Sequence, residues 1–456
     1  MCTQTFENVC FLLVFHSFYT TFAPYISMRV LIVNTSERTG GAAVAANRLM
    51  KALNNNGVKA KMLVRDKERQ RVGAIAGLTD SLTVVDLPPS WRLRWHFLWE
   101  RFVIFCHLHF SRTRLFEIDI ANSGSDITRL REFQEADVIH LHWINQGMLS
   151  LSDIRKILRS GKPVIWTMHD IWPATAICHL TLDCRSFTTQ CRRCRLLPGG
   201  SSDRDLSASV WQKKQQILNE ENIYFVACSR WLESEAKKSA LLKGQKITSI
   251  PNPIDTHIYK KGDKQDARQR LGLPQDKKLI LFASQRVTNE NKGMSYLIEA
   301  CRQLVDIPQL GVVILGGHAE EVVEQLPIDA WPLGYINDEQ RIVDAYNAAD
   351  VFVLPSLSEN LPNTIMEAMA CGVPCVGFKV GGIPEEIDHR RNGYVADYRS
   401  AEDLSKGIRW ILTEADYEAL SREAVRKVVQ HYSQQSVAMK YLDVYDQALA
   451  FKHYKL

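Results

Sequence analysis

The sequence lacks an apolar run long enough to cross a membrane, since a spanning helix needs roughly 20 predominantly apolar residues. Low-complexity tracts are also missing, and 46% of the 456 residues are apolar and 23% charged, as in ordinary globular enzymes. A strong excess of either charge is absent as well, because the net charge is only +5. These absences argue against a membrane-spanning protein and a general nucleic-acid binder, while leaving room for a local basic surface.

The first 27 residues lack the features of a secretory signal. Their apolar stretch Phe11-Leu-Leu-Val-Phe15 has no Lys or Arg before it and is soon followed by His16 and Pro24, whereas a signal peptide begins with a basic region. We interpret residues 1–27 as a non-native or disordered extension and expect the protein to open at Met28. The odd number of cysteines, 11, favours a reducing cytoplasm over a disulfide framework.

Apolar runs rich in β-formers alternate with helical patterns along the rest of the chain, which is typical of parallel α/β architecture. The runs cover residues 29–34, 60–64, 137–141, 163–168 and 223–228 in the first half, and 278–284, 312–315, 350–354 and 374–378 in the second. Residues 251–277 between the two series are polar and contain three prolines, so they indicate an interdomain linker. Because the chain is longer than one core usually supports, we predict two doubly wound domains in tandem.

Two glutamates frame the stretch that follows one of the predicted strands. Glu359 and Glu367 have seven residues between them, and the pattern places the first in a loop and the second in the next helix. Pro362 suits the first position of that helix, so the backbone N–H groups of Asn363 and Thr364 would face outward. In open α/β sheets, ligands lie beyond the carboxyl ends of the strands, and helix N-termini bind anions there. The stretch therefore predicts a phosphate site.

The two carboxylates would be repelled by phosphate, so they fit hydroxyl groups instead. Glu367 lies one turn beyond Asn363 on the same helical face and could hold a ribose, while Glu359 could hold a second polyhydroxy group. Arg286 and Lys292 follow the predicted strand 278–284 and could neutralise a diphosphate without a metal ion. Taken singly, each residue also fits a solvated loop or helix position, and it is their combination that favours a site.

The wider pattern resembles a known family. The second glutamate opens Glu367-Ala-Met-Ala-Cys-Gly-Val-Pro374, which is followed by Gly381-Gly-Ile-Pro-Glu385 and Asn392-Gly393. This signature is similar to that of glycosyltransferase family 4, retaining enzymes with the GT-B fold. The resemblance covers nearly every residue from Met28 onward and includes Gly40-Gly41, Asn252-Pro-Ile-Asp255, Gly316-Gly317 and Gly334-Tyr335.

The resemblance implies an α/β fold of the GT-B class, in which two Rossmann-like domains face each other across a cleft. We expect an acceptor-binding domain over residues 28–255 and a nucleotide-sugar-binding domain over residues 256–433. Residues 434–456 would form a helix that crosses back to the first domain.

The resemblance also implies roles for the candidate residues. Arg286 and Lys292 would bind the donor pyrophosphate and stabilise its growing charge. Glu367 would hold the ribose, Glu359 the transferred sugar, and His169 would lie at the reaction centre. The other donor contacts would come from Gly41, Gly334, Tyr335, Ile336, Asn363 and Thr364.

Three departures from the family pattern concern loop geometry. Gln285 stands where the family usually has a glycine before the arginine, and one extra residue separates Arg286 from Lys292. Asn360-Leu-Pro-Asn363 replaces the commoner Gly-Phe-Gly run.

Other histidines of the first half alternate with apolar residues. His140 and His142 share one face of a predicted strand, and we interpret them as partly buried packing residues and not as catalysts.

A cysteine cluster in the first half leaves two interpretations open. Cys178, Cys184, Cys191 and Cys194 could supply four thiolates to a structural zinc ion, or they could be free or redox-pairing cysteines. Four arginines lie within or beside the cluster, namely Arg185, Arg192, Arg193 and Arg195. A zinc-stapled nucleic-acid-binding module is therefore the second functional class, although the basic residues are too local to favour it.

Residues 91–116 are rich in Trp, Phe and Arg. Trp91, Trp95 and Trp99 recur every four positions and so share one helical face. Such a helix either lies in a membrane interface or packs on the first domain as an insertion.

We expect a retaining hexosyltransferase that moves a sugar from a nucleotide-diphosphate sugar to a hydroxyl acceptor without a catalytic cofactor. A lipid-linked glycan is the expected acceptor, in the synthesis of a capsule, exopolysaccharide or O-antigen at the inner face of the cytoplasmic membrane, and nucleic acid is not an expected partner. A sugar-nucleotide epimerase or a phosphorylase of the same fold is the alternative enzyme.

Overall fold

Two parallel β-sheets organise the chain in the computed structural model, which describes residues 28–67, 83–87, 91–198, 202–220 and 222–453. The extension predicted over residues 1–27 lies outside the described residues. The first sheet contains β1 (Arg29–Ser36), β2 (Lys59–Asp66), β3 (Val84–Asp86), β4 (Val138–Leu141), β5 (Val164–Met168), β6 (Tyr224–Ala227) and β7 (Lys246–Ser249). The second contains β8 (Lys278–Arg286), β9 (Leu310–Gly317), β10 (Asp329–Gly334), β11 (Val351–Leu354), β12 (Cys375–Phe378) and β13 (Gly393–Ala396).

Helices cover both faces of each sheet. Those of the first half are α1 (Gly41–Asn55), α2 (Trp91–His107), α3 (Arg131–Glu135), α4 (Leu151–Arg159), α5 (Leu206–Glu220) and α6 (Arg230–Lys237). The second half has α7 (Lys264–Leu271), α8 (Met294–Arg302), α9 (Glu320–Val323), α10 (Glu339–Ala348), α11 (Asn363–Ala370), α12 (Ile383–Glu386), α13 (Ala401–Thr413), α14 (Tyr417–His431) and α15 (Gln434–His453). Short 3-10 turns occur at Trp172–Ala174, Ser186–Thr188, Ala240–Leu242 and Glu290–Lys292.

The strand order is that of two doubly wound sheets. The first runs β3-β2-β1-β4-β5-β6-β7 and the second β10-β9-β8-β11-β12-β13, with every named pair parallel, as the registers of β1 with β2 and of β8 with β9 illustrate. Inner strands such as β5 and β11 are buried along their whole length, because helices cover both of their faces. The predicted α/β fold class is confirmed.

All nine strands predicted from the sequence are present, although their ends shift by a few residues. The structure adds β3, β7, β10 and β13, and each of these four lies at an edge of its sheet.

The predicted linker is shorter than residues 251–277. Residues Lys264–Leu271 form α7, which begins at the capping side chain of Asp263 and ends at the left-handed Gly272. Ala267 of this helix is buried in the core of the second sheet. The linker prediction is therefore wrong for these residues, because a helix whose buried face holds only two residues gives a weak apolar period.

The chain crosses between the two sheets at two places that lie side by side. Ile254 donates its backbone N–H to the carbonyl of Tyr432 at 2.8 Å and accepts from Gln434 at 3.2 Å. After this pairing, α15 packs on the first sheet, where Val437, Tyr441 and Tyr445 join the core cluster that contains Ile32.

Among the described residues, the helices are too short or too polar to cross a bilayer.

Candidate functional site

A cleft of about 1090 Å³ separates the two sheets at the carboxyl ends of their strands. Both halves of the chain line it. Of the residues predicted for the site, the cleft brings together Gly41, His169, Lys292, Tyr335, Ile336, Glu359, Asn363, Thr364 and Glu367. Arg286 and Gly334 are not part of this described lining.

The N-terminus of α11 faces the cleft. Pro362 has extended backbone angles and occupies the position before the helix, so Asn363 is the first helical residue; the prediction that Pro362 itself opens the helix is wrong by one position. Within the described part of the chain, no side chain caps this helix start. Its first N–H groups therefore remain available to an anion.

Glu367 is buried beneath that helix start and joins the two halves of the molecule. Its Oε1 accepts from Nη2 of Arg48 in α1 at 2.7 Å, and its Oε2 accepts from the hydroxyl of Tyr346 at 2.7 Å. The sequence indicated neither partner, because Arg48 lies 319 positions away. A carboxylate has about four acceptor sites, so both oxygens can still accept from a ligand hydroxyl.

Glu359 and Lys292 form an ion pair at the cleft wall. Ser356 also donates its hydroxyl to Glu359 at 3.1 Å. Lys292, predicted to bind the pyrophosphate, and Glu359, predicted to bind the transferred sugar, thus lie side by side.

Arg286 differs from Lys292 in its placement. Its Nε donates to the hydroxyl of Thr288 at 3.1 Å, and its side chain is exposed. The pairing of β8 with β9 shifts register between Ala283 and Arg286, which changes the direction of the side chains there. Ser284 and Gln285 line the cleft, so Arg286 lies just outside its rim.

Two glycines explain why the sequence motif around position 381 belongs to the site. Gly381 has φ +56°, and a Cβ built there would lie 1.7 Å from the carbonyl oxygen of Glu359. A Cβ on Gly382 would lie 2.0 Å from the carbonyl oxygen of Asn360. The loop that carries Glu359 can therefore take its position only if both residues lack a side chain.

On the opposite wall, α1 begins at the cleft. Gly40 precedes the helix with φ 91°, a conformation that favours glycine. The carbonyl of Gly41 accepts from Nδ2 of Asn363 at 3.1 Å, and Oδ1 of Asn363 accepts from Asn252 at 3.0 Å. The N-termini of α1 and α11 thus meet across the cleft.

His169 follows β5 and lines the cleft with Asp170. Its Nε2 lies 2.9 Å from Nδ1 of His142. Burial lowers the pKa of His169 to about 4, although Asp170 acts in the opposite direction. Burial, with His140 and His169, also holds the pKa of His142 well below its usual range. Both rings are therefore neutral near pH 7.

His140 and His142 are more deeply buried than predicted. The two ring nitrogens of His140 lie 2.7 Å from the hydroxyl of Tyr445 and 2.8 Å from that of Thr167. His140 is therefore a packing residue with satisfied hydrogen bonds, whereas His142 contacts a cleft residue, which sequence periodicity did not reveal.

A further histidine of the cleft lining, His179, carries a proton. The ring nitrogens of His179 lie 2.7 Å from Asp170 Oδ2 and 2.7 Å from Asp119 Oδ2. Burial opposes protonation, but Asp170 and Asp119 outweigh it and raise the pKa of His179 to about 10. Asp119 is also paired with Arg101 of α2. This chain of buried charges was not predicted, because its members come from separate segments.

The cysteine cluster folds into the loop before α5. Burial raises the pKa of Cys178 to about 11 and that of Cys191 to about 12, so both are protonated thiols at neutral pH. The ranges that the structure describes contain no group of three or more His, Cys, Asp or Glu side chains arranged to hold a metal ion. The structure thus gives the zinc prediction no support, and it stays a prediction.

Comparison with known proteins agrees with this architecture. A family model described as glycosyltransferase family 4 matches residues 39–258, and one described as glycosyl transferases group 1 matches residues 263–428. An uncharacterised glycosyltransferase of Methanocaldococcus jannaschii is 26% identical over 364 residues, which cover 73% of this chain and 90% of that protein.

Two further similarities concern part of the chain or the fold alone. A putative teichuronic acid biosynthesis glycosyltransferase of Bacillus subtilis is 34% identical over 189 residues, covering 40% of this chain and 45% of that protein. The crystal structure of the Anabaena protein HepE in complex with UDP-glucose aligns with a TM-score of 0.59 at 17% identity, covering 92% of this chain and 100% of that one.

Proposed function

This chain is a glycosyltransferase of the family 4 type with the GT-B fold, and on that premise we propose that it transfers a sugar from a nucleotide-diphosphate sugar to a hydroxyl acceptor with retention of configuration. One observation carries the proposal: the two halves of the chain line the same cleft. Lys292, Glu359 and the start of α11 lie on one wall, and His169 lies on the opposite wall. The UDP-glucose bound by HepE supports a donor of this class.

The diphosphate would lie at the start of α11. The backbone N–H groups of Asn363 and Thr364 and the ammonium group of Lys292 supply positive potential there. As the bond to the sugar breaks, negative charge grows on the leaving diphosphate, and fixed donors stabilise that charge most in the transition state. Arg286 would join them only after leaving Thr288.

The sugars would lie on either side of the diphosphate. Glu367 would accept hydrogen bonds from the ribose, held in place by Arg48 and Tyr346. Glu359 would accept from the transferred sugar while its partner Lys292 neutralises phosphate. The main chain at Tyr335 and Ile336, which also line the cleft, would contact the base.

The acceptor would enter along the first half of the chain, where His169 lies. Because His169 and His142 are neutral, His169 would serve as a hydrogen-bonding group toward the sugars and not as a cation. The exposed apolar side chains of Leu180 and Leu182 lie at the cleft, which supports an acceptor with a lipid part. A lipid-linked glycan of a cell-surface polysaccharide, at the inner face of the cytoplasmic membrane, fits this surface.

A thermal-shift panel of UDP-, GDP- and ADP-sugars tests the donor assignment. We expect one group of nucleotide sugars to raise the Tm of the purified chain, because a ligand that binds only the folded state stabilises it. Lys292→Ala should remove most of that shift. Lys406→Ala is the matched control, since Lys406 also pairs with a glutamate, but both side chains of that pair are exposed and lie on another helix. No shift with any nucleotide sugar, or equal loss in both variants, would refute the proposal.

A further inference from the structure

Helix α2 packs Leu93, Val103 and Ile104 against the core of the first half, but it also carries a large apolar face that points outward. Five apolar side chains, between 41% and 74% exposed, form this continuous outer face: Trp91, Trp95, Leu98, Trp99 and Phe102. The buried positions of the same helix are Glu100, Arg101 and Ile104. A surface helix in water usually turns its apolar side chains toward the core and its charged side chains toward solvent.

The inward charges hold this orientation in place. Glu100 Oε1 accepts from the backbone N–H groups of Ile120 and Ala121 at 3.1 and 2.7 Å. Arg101 donates to the carbonyl of Leu115 at 2.7 Å and pairs with Asp119. Rolling the helix to bury its tryptophans would leave these buried groups without partners, which is costly. The buried contacts of Glu100 and Arg101 therefore fix the helix with its tryptophans exposed.

The apolar surface continues from α2 to the cleft. Phe110 and Phe116, which follow the helix, are also exposed. Ile118 forms an antiparallel bridge with Cys178, so the chain carrying Phe116 runs beside the chain carrying Leu180. Leu180 in turn lines the cleft together with Leu182. One strip of exposed apolar side chains thus leads from α2 to the acceptor side.

The charges beside the α2 part of this strip are basic, and the acidic residues next to its far end, Glu117 and Asp183, are paired with Arg114 and Arg195. Arg92, Arg94 and Arg112 are exposed beside the aromatic residues, whereas the single acidic residue of the stretch 91–116, Glu100, is buried. Exposed tryptophans flanked by arginines are the composition of interfacial helices, which bind where apolar insertion and attraction to anionic lipids combine. Protein interfaces are also rich in tryptophan and arginine, so a second copy of the chain on this face is a separate outcome of the tests below.

The geometry points to a membrane-docking surface for an anionic phospholipid bilayer, formed by the outer face of α2, Phe110, Phe116, Leu180 and Leu182. The aromatic side chains enter the interface and the arginines contact lipid phosphates. The cleft then opens toward the bilayer, so an acceptor with a lipid anchor reaches the site without leaving the membrane. This last consequence rests on the proposed function, but the docking itself does not.

Vesicle cosedimentation of the full chain tests the surface. We expect binding to vesicles of phosphatidylglycerol and phosphatidylcholine, weak binding to phosphatidylcholine alone, and a decline as salt is added. Trp91→Ser/Trp95→Ser/Phe102→Ser should weaken binding at least about tenfold, because three interfacial side chains are lost. The control Val305→Ser/Val429→Ser removes side chains that are 59% and 51% exposed elsewhere and should bind like the parent chain. Equal binding by both variants would overturn the proposal.

Two further measurements separate other occupants of this face. Lipids brominated near the glycerol should quench tryptophan fluorescence in the parent chain and much less in the triple variant; absence of quenching would overturn insertion.

If the face instead covers a second copy, light scattering would show a dimer that the triple variant converts to a monomer, with no vesicle binding. The Tm shift with nucleotide sugars should survive in the triple variant, so failure of docking and failure of the proposed function are distinguishable.

Discussion

Protonation differs sharply among the histidines next to the cleft. His169, His142 and His140 lack carboxylate partners in direct contact among the described residues, and burial lowers the pKa of each. His179 lies between two aspartates and is a cation. Asp170 therefore keeps its negative charge next to His169, and its contact with His179 in the cleft lining holds its carboxylate in place.

The raised pKa of His179 predicts a change in the pH dependence of stability. Because its pKa is about 10 in the folded chain and about 6.5 when unfolded, its contribution is complete below pH 6.5 and disappears as the pH rises to about 10. His179→Gln should remove this contribution, so the stability difference from the parent chain should shrink by up to about 1.4 kcal/mol per pH unit over that window.

Urea unfolding of both chains between pH 6 and pH 10 measures this difference. Lys214, whose pKa burial lowers to about 7 although Asp170 and Asp119 act in the opposite direction, opposes the effect of His179 in the same window and is present in both chains. A difference that does not change with pH would show that His179 is neutral in the folded protein.

At the scale of elements, the proposed donor half of the site depends on one loop and one helix start. The loop of Glu359 lies against Gly381 and Gly382, and α11 begins just after it. The glycine motif and the glutamate motif of the sequence are thus two parts of one packing unit, although they are separated along the chain.

Gly381→Ala should therefore weaken donor binding as well as stability. The added Cβ would lie 1.7 Å from the carbonyl oxygen of Glu359, so the loop must move, and a displacement of about 1 Å can cost roughly 100-fold in activity. Gly272→Ala is the matched control, because Gly272 has a similar φ of +68° but nothing within 4 Å of its Cβ position.

Gly272→Ala should lose about 1–2 kcal/mol of stability from the left-handed backbone, and Gly381→Ala should lose more, because its Cβ also clashes with the main chain of Glu359. Calorimetric titration with the nucleotide sugar found in the panel should show weaker binding for Gly381→Ala alone. Similar affinities for the two variants would mean that the loop of Glu359 does not need its present position.

Edge strands show where sequence reasoning reaches its limit at this scale. The nine predicted strands include every interior strand of the two sheets, whereas β3, β7, β10 and β13 are edges. β7 and β10 are half-exposed along their length. A strand covered on fewer sides needs fewer apolar residues, so its pattern resembles that of a loop.

Over the whole molecule, one buried ion pair connects the two halves at the cleft. Arg48 comes from α1 and Glu367 from α11, and both side chains are about nine-tenths buried. Burial lowers the pKa of Arg48, but Glu367, with a smaller contribution from Tyr259, outweighs burial and raises that pKa. The pair holds the halves together at the place proposed for the ribose.

Arg48→Ala should be strongly destabilising. It leaves Glu367 buried with Tyr346 as its remaining partner, and breaking a buried pair in this way costs roughly 3–5 kcal/mol. Arg29→Ala is the control, since Arg29 pairs with Asp137 while 51% exposed, and an exposed pair contributes about 0–1 kcal/mol. Urea unfolding of the two variants should reproduce this order, and equal losses would contradict it.

The sequence by itself determined the α/β class and the interior strands, and it located the glutamate motif at a helix start, because these depend on patterns within short segments: apolar runs, helix starts, and glutamates at a fixed spacing. Only the tertiary structure decided that Lys292 pairs with Glu359, that Arg286 turns to Thr288, and that Arg48 reaches Glu367. It also decided that α2 turns its tryptophans outward. Contacts between distant segments follow from packing and charge burial in three dimensions, which no local spacing encodes.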